Sequence, residues 1–313
     1  MAADNFHWFS KMEITLSLIC RQNKQSIGKL AVTVATLSLC AVPAIAEDFS
    51  DNSISWRYGD KFREPFNNQD ISKNIVSLRH ASGYKFGSNF LNIDALKSDS
   101  RDPSSATSAS GAVEAYVVYR HTLDIGKVSG SEIKFGPVRG VGITGGFDFN
   151  HKRDAGYNSR KRMLVLGPTV MMDVPGFFNV SLLELWESND PSISAGVFNP
   201  GYPGHRYYYS PHPMLEAVWA IPLGSLPISF EGYADFIAAK GKDETGHNTA
   251  PETNIDMQIM YDMGVAMGSA KNTFRAGLEY QYWHNKFGNS DSTVAPFGGN
   301  TASTPMVRVE YHF

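Results

Sequence analysis

The sequence predicts an all-β protein, a transmembrane antiparallel β-barrel of about 12 strands and of the bacterial outer-membrane type. Three observations carry that expectation. Residues alternate with period two along one segment after another, and in the clearest segments the charges keep to a single face. The connections between segments alternate short and long, in phase with an even strand count. The chain also ends on a strand closed by an aromatic residue, Phe313.

The chain has 313 residues, enough for one large all-β domain. Its mean hydropathy is -0.25. No stretch after residue 46 approaches the roughly 18 apolar residues of a membrane-spanning helix. A barrel escapes that test, because its strands alternate lipid-facing and lumen-facing residues and average to a mild hydropathy.

The one long apolar run lies near the start. Arg21, Lys24 and Lys29 precede Leu30 to Val42, and the segment closes on Ala44-Ile45-Ala46 before Glu47. A basic region, an apolar region and an A-x-A site predict a cleaved signal peptide over residues 1–46, leaving a single barrel domain over 47–313. Residues 1–20 are long for the basic region, which places the true start at Met12 or later. Leu39 before Cys40 is too bulky for a lipoprotein signal. Cys20 and Cys40 both fall in the leader, so the predicted mature chain has no disulfide and no thiolate metal site.

The last strand shows the alternation most plainly. Val307, Val309, Tyr311 and Phe313 share one face; Arg308, Glu310 and His312 share the other. Thr273 to Trp283 opposes Phe274, Ala276, Leu278, Tyr280 and Tyr282 to Arg275, Glu279, Gln281 and Trp283. Asn254 to Met263 opposes Ile255, Met257, Ile259, Tyr261 and Met263 to Asp256, Gln258 and Asp262. Ile228 to Ala238 opposes Phe230, Ala234 and Phe236 to Glu231, Tyr233 and Asp235. A charge-free face opposite a charged one, recurring in four strands, is the dyad pattern of a barrel in lipid.

Further strands are expected at about 211–221, 176–188, 161–172, 138–150, 111–122, 87–97, 75–80 and 53–58, the last two being the faintest. Asp173 to Pro175, Pro222 to Pro227 and Gly268 to Lys271 are tight connections. His151 to Arg160, Asn189 to Ser210, Gly241 to Glu252 and Asn285 to Thr304 are long. That is the order of periplasmic turns and outer loops. Leu123 to Pro137 breaks the rule, being long where a short turn belongs. Ser98 to Ser110 is polar and low in complexity and reads as a mobile outer loop.

Two stretches then resemble a known family. Ser53-Ile54-Ser55-Trp56-Arg57-Tyr58-Gly59, followed by Phe62-Arg63-Glu64-Pro65-Phe66, is similar to the opening of OmpK-type members of the nucleoside-specific channels, Tsx and its OmpK relatives. Ile133-Lys134-Phe135-Gly136-Pro137 resembles the family's Ser-Phe-Gly-Pro type stretch. The resemblance spans essentially the whole mature chain. It implies a monomeric twelve-stranded barrel and passive nucleoside uptake across the outer membrane, and it transfers no binding residue.

Candidate binding residues come instead from the predicted lumen. A nucleoside needs a flat apolar surface for its base and acceptors for its ribose hydroxyls. Tyr116, Tyr233 and Trp283 offer the first, and Glu231, Asp235, Asp256 and Glu279 the second. Acids outnumber bases on the inner faces of the last four strands, which favours a cationic solute as an alternative. A plugged barrel acting through its loops as an adhesin or phage receptor is the other. The loop Asn199 to Tyr209, with three consecutive tyrosines, reads either as a constriction or as part of the aromatic girdle.

The leader removes four of the 28 basic and two of the 31 acidic residues, so the mature net charge is near -5. That offers no footing for nucleic acid. No enzyme, cofactor or metal is indicated: His205 and His212 lack companions at ligand spacing, and His312 lacks a serine partner. The expected partners are membrane lipid and lipopolysaccharide, the assembly machinery through Phe313, and a small solute.

Overall fold

The computed structural model describes residues 47–192 and 205–313. The predicted leader and part of the loop 189–210 lie outside the described residues. Among the described residues the chain forms a closed antiparallel barrel of twelve strands with one extra two-residue strand. In chain order the strands are β1 (Glu47–Glu64), β2 (Asn67–Tyr84), β3 (Gly87–Ser98), β4 (Val113–Asp124), β5 (Val138–Arg153), β6 (Arg162–Met172) and β7 (Phe177–Asn189). They continue with β8 (Tyr207–Tyr208), β9 (His212–Pro222), β10 (Ile228–Ile237), β11 (Glu252–Asp262), β12 (Phe274–His284) and β13 (Ala302–His312). Each barrel strand pairs with its chain neighbour, β7 pairs with β9, and β1 closes the ring on β13 from Ser53↔His312 to Gly59↔Met306. The short β8 sits on the end of β7.

The pleat sorts the residues as the sequence alternation requires. Along β13, Thr304, Met306, Arg308 and Glu310 are buried, while Val307, Val309 and Tyr311 are exposed. In a barrel the buried face is the lumen and the exposed face meets lipid. Leu278, Ile259, Leu182, Leu164 and Leu78 are all at least half exposed on that outer face. A sheet with no free edge satisfies its backbone internally and can cross a bilayer. The fold is therefore that of an integral membrane barrel.

Two regions depart from the simple pattern. The strands β1 and β2, expected only at 53–58 and 75–80, run to 18 residues each. Their outer halves turn Phe62, Ile71 and Ile75 inward against Met306, so the apolar residues there face the lumen. Met163, Val165, Leu183, Leu185 and Met214 do the same on β6, β7 and β9. Beside them Thr122, Thr144, Thr169 and Ser181 link β4 to β7 in a chain of hydroxyl contacts of 2.8, 2.5 and 2.8 Å. Gly146 and Gly167 sit where a Cβ would lie 2.0 Å from a carbonyl oxygen of the neighbouring strand, so only glycine lets the sheet bend there.

The connections follow the expected alternation with two departures: the turn after β1, at the long-loop end, is only Pro65-Phe66, and the segment after β11 (263–273) is longer than the loop after β5 (154–161). At the end holding the C-terminus lie the turns after β2, β6, β9 and β11; at the other lie the long loops after β3, β5, β7, β10 and β12. The exceptional segment after β4 is long because it forms helix α1 (Ile125–Ser129), capped by the Asp124 carboxylate on Lys127 N–H at 3.1 Å and ended by left-handed Gly130. A second short helix, α2 (Asp291–Val294), lies in the loop after β12. The polar segment Ser98 to Ser110 does not stand free. Ser98 N–H bonds Ala112 O at 2.9 Å, and buried Asp102 meets Lys152 at 3.0 Å, which ties the loop to the outer mouth.

Candidate functional site

Sheet register assembles the site. On the inner faces of β9 to β12, Glu216, Asp235, Asn254 and Trp283 stand directly opposite one another in one row. Val218, Tyr233, Asp256 and Gln281 form the next, and Ala220, Glu231, Gln258 and Glu279 the one after. Directly opposed residues on one face lie within about 5.5 Å at Cβ. Six of the seven candidate residues thus share one wall. The seventh, Tyr116, is on β4, where its hydroxyl donates to Asp148 at 3.2 Å.

Their partners divide them. Glu279 is taken up by structure: Arg57 and Arg308 each donate to one of its oxygens at 2.9 Å, and its side chain is fully buried. Glu231 accepts from Arg275, from Ser229 at 2.6 Å and from Gln258 at 2.9 Å. Trp283 donates to Glu252 at 2.5 Å, with the Phe287 ring edge-on at 5.0 Å and Lys286 Nζ over its face at 4.6 Å. The tyrosine of the next row, Tyr233, accepts from Asn254 at 3.2 Å. Gln281 donates to Asp256 at 3.3 Å. By contrast, Oδ1 of Asp235 and Oδ1 of Asn254 are buried with no hydrogen-bond partner among the described residues. Among the described residues, Asp235, Asp256 and Glu252 have no Lys, Arg or His nitrogen within 4.0 Å, so the β10–β11 wall carries unmatched acceptors.

The sequence reading left several lumen cations out. Arg57 reaches Asp94 at 2.8 Å as well as Glu279, and Arg79 approaches Glu310 at 3.9 Å. Their signal was present, because Ser53, Ser55 and Arg57 alternate with Ile54, Trp56 and Tyr58. Near the outer mouth Glu64 gathers Lys73 at 2.5 Å, Lys286 at 3.2 Å and Lys152 at 3.7 Å. Burial lowers the Lys286 ammonium from its ordinary value against the pull of Glu64. Glu187 gathers Lys240 at 2.8 Å and Lys161 at 3.3 Å, with His212 at 3.8 Å. Apart from Lys73, which lies within β2, these lysines are at strand ends or in loops, where alternation gives no signal.

Two bridges cross the lumen. Arg120 of β4 meets Glu216 of β9 at 3.4 Å, and Lys152 of β5 meets Glu64 of β1, each pair four strands apart around the ring. Two of the three tyrosines of the loop before β9 point in different directions. Tyr208 is 72% exposed on the outside. Tyr209 turns inward, its ring under Lys240 Nζ at 4.3 Å and its hydroxyl donating to Glu244 at 2.6 Å.

No protein-family model matches the sequence, and no curated protein sequence matches it. Among solved structures, the chain is similar to the KdgM porin at 10% identity, over 83% of this chain and 99% of that one, with a TM-score of 0.41. The NanC porin gives 9% identity over 82% and 98%, with a TM-score of 0.41. The translocator domain of the autotransporter NalP from Neisseria meningitidis gives 12% identity over 84% and 88%, with a TM-score of 0.40.

Proposed function

We propose that the barrel is a passive, selective channel for small hydroxylated solutes, and for nucleosides in particular, as the resemblance to the Tsx and OmpK channels implies. The observation that carries this reading is the row Glu216, Asp235, Asn254 and Trp283, in which the half-buried Asp235 carboxylate has no Lys, Arg or His nitrogen within 4.0 Å among the described residues. A solute hydroxyl supplies the missing donor. Tyr233, one row away, offers a ring face to the base. One stacked base is worth about 1–3 kcal/mol and one charge-assisted hydrogen bond about 1.5–3 kcal/mol. After the entropy of binding this corresponds to a dissociation constant near the millimolar scale. A channel needs that weakness, since a solute must leave as readily as it enters. The cross-lumen bridges at Arg120–Glu216 and Lys152–Glu64 set the constriction through which it passes.

Single-channel recording in planar bilayers tests the reading. Adenosine or thymidine should block the current in a saturable way, and ribose alone far less. Asp235→Ala should weaken the block roughly tenfold, the loss of one charge-assisted hydrogen bond. No block of the wild-type pore by either nucleoside at tens of millimolar would sink the nucleoside reading. Absence of any conductance would favour the plugged barrel instead.

A further inference from the structure

The outward wall of β3 to β6 is unlike the rest of the lipid-facing surface. At the end bearing the long loops, Lys97, Val113 and Arg153 stand opposite one another across β3, β4 and β5, with Lys97 and Arg153 exposed. His151, two residues along β5, and Arg162 on β6 face the same way and are exposed too. Directly inboard, at membrane depth, the wall turns apolar: Ile93, Val117 and Phe149 are aligned, then Leu91, Tyr119, Phe147 and Leu164. The Tyr119, Phe147 and Phe149 rings pack at 5.3 and 4.9 Å.

Two cations of this wall, Lys97 and Arg153, are not matched by acids of the protein. Lys97 Nζ bonds only Ser110 Oγ at 2.8 Å and Gly111 O at 2.6 Å, and neither Lys97 nor Arg153 has a carboxylate within 4.0 Å among the described residues. Elsewhere around the rim the pattern differs. Lys61 and Arg63 share Asp70 at 2.5 and 3.2 Å. The outward positions at the same end of β9 to β12 are Pro213, Leu215, Phe236, Thr253, Ile255, Tyr282 and His284, with no Lys or Arg. Unpaired cations held at the boundary of an apolar wall match a lipid with phosphates at its headgroup and acyl chains below. In the outer leaflet that chemistry is a phosphorylated glycolipid.

We propose that the wall of β3 to β6 is a binding site for the phosphorylated headgroup of lipopolysaccharide. Lys97 and Arg153 hold the phosphates, with His151 beside them, and the acyl chains lie along Phe147 and Phe149. The site is on one side of the barrel and is independent of what passes through the lumen.

The test is native mass spectrometry of the purified full-length mature barrel in non-ionic detergent, titrated with bis-phosphorylated lipid A. Bound lipid A should be retained, and chemically dephosphorylated lipid A should bind roughly tenfold more weakly. The Lys97→Ser/Arg153→Ser double variant should lose a comparable factor, while Lys61→Ser/Arg63→Ser should not. Equal binding of the dephosphorylated lipid overturns the proposal on the wild-type protein alone, whether or not the variants fold. Equal losses in both double variants overturn the placement on β3 to β6. Phosphatidylglycerol binding as tightly as lipid A overturns the choice of glycolipid.

Discussion

Glu279 is the hub of the lumen network, and removing its charge measures what that network contributes. Its side chain is fully buried, and its two oxygens accept from different arginines, Arg57 and Arg308, at 2.9 Å each. Breaking a buried ion pair by deleting one partner costs about 3–5 kcal/mol, because the remaining charge is left in a poor solvent. Each arginine keeps a second carboxylate here: Asp94 at 2.8 Å for Arg57, and Glu310 at 2.6 Å for Arg308. The expected loss for Glu279→Leu is therefore at the lower end, about 3 kcal/mol. Urea unfolding in lipid vesicles, followed by tryptophan fluorescence, reads it directly. With a slope of about 1–3 kcal/mol/M, the midpoint should fall by at least about 1 M. Asp70→Asn, which breaks a solvent-exposed pair, should leave the midpoint in place. Adding Arg57→Met to Glu279→Leu should cost less than the two changes summed, since the orphaned charge goes with it. A Glu279→Leu midpoint equal to wild type would refute the reasoning, and would mean that lumen water already solvates these arginines.

Three other expectations concern orientation, assembly and pH. Ile259 is 54% exposed on the outer face, so Ile259→Arg should destabilise the barrel by about 2–4 kcal/mol, whereas inward Gln258→Arg should be tolerated beside Glu231; the opposite ranking in the same urea assay would turn the strand inside out. Phe313 N–H bonds Asn52 O at 2.9 Å across the closing seam, and its ring stacks on Tyr311, so deleting Phe313 should lower the heat-modifiable barrel recovered from outer membranes, with unchanged recovery counting against it as an assembly signal. Burial raises the Glu244 carboxyl in the loop after β10 from 4.5 to about 7, so its stabilising effect on that loop is complete below pH 4.5 and is lost as pH rises through 7. Hydrogen exchange over 239–251 should accelerate from pH 5 to 8 beyond the intrinsic rate, and Glu244→Gln should abolish the excess.

Most of the fold was legible because a lipid-facing strand cannot hide its pattern. Charge is expelled from every second position, and β10 to β13 show this cleanly. The outer halves of β1 and β2 were illegible for the complementary reason. There Asp60, Lys61 and Asn74 are exposed and Phe62, Ile71 and Ile75 point inward, so the apolar residues mark the lumen. The site was legible in membership but not in status. Alternation put Asp235 and Glu279 on the same inner surface, and nothing in their own strands distinguished them. What separates them is Arg57, brought to Glu279 across the closing seam from 222 residues away. Pairing across a closed ring is a property of register, and register is not written in a single strand.

The electrostatic layout then constrains selectivity. The inward cations Arg57, Lys73, Arg79, Arg120, Lys152, Arg275 and Arg308 each have a carboxylate within 4.0 Å. The acid excess on the last four strands is in this way met largely by groups on the first strands. Among the described residues, the inward acids without a Lys, Arg or His nitrogen within 4.0 Å concentrate on β10 and β11, as Asp235, Glu252, Asp256 and Asp262, with Glu114 on β4 apart from them. A solute is therefore met at that wall by acceptors. On the proposed reading, hydroxyl and ammonium donors are favoured there over a phosphate. The same chain shows the opposite polarity on its outer surface, where Lys97 and Arg153 lack carboxylates at the rim. The unmatched acids thus lie inside the barrel on β10 and β11 and the unmatched cations outside it on β3 and β5, so charge of opposite sign is kept apart by both the pleat and the ring.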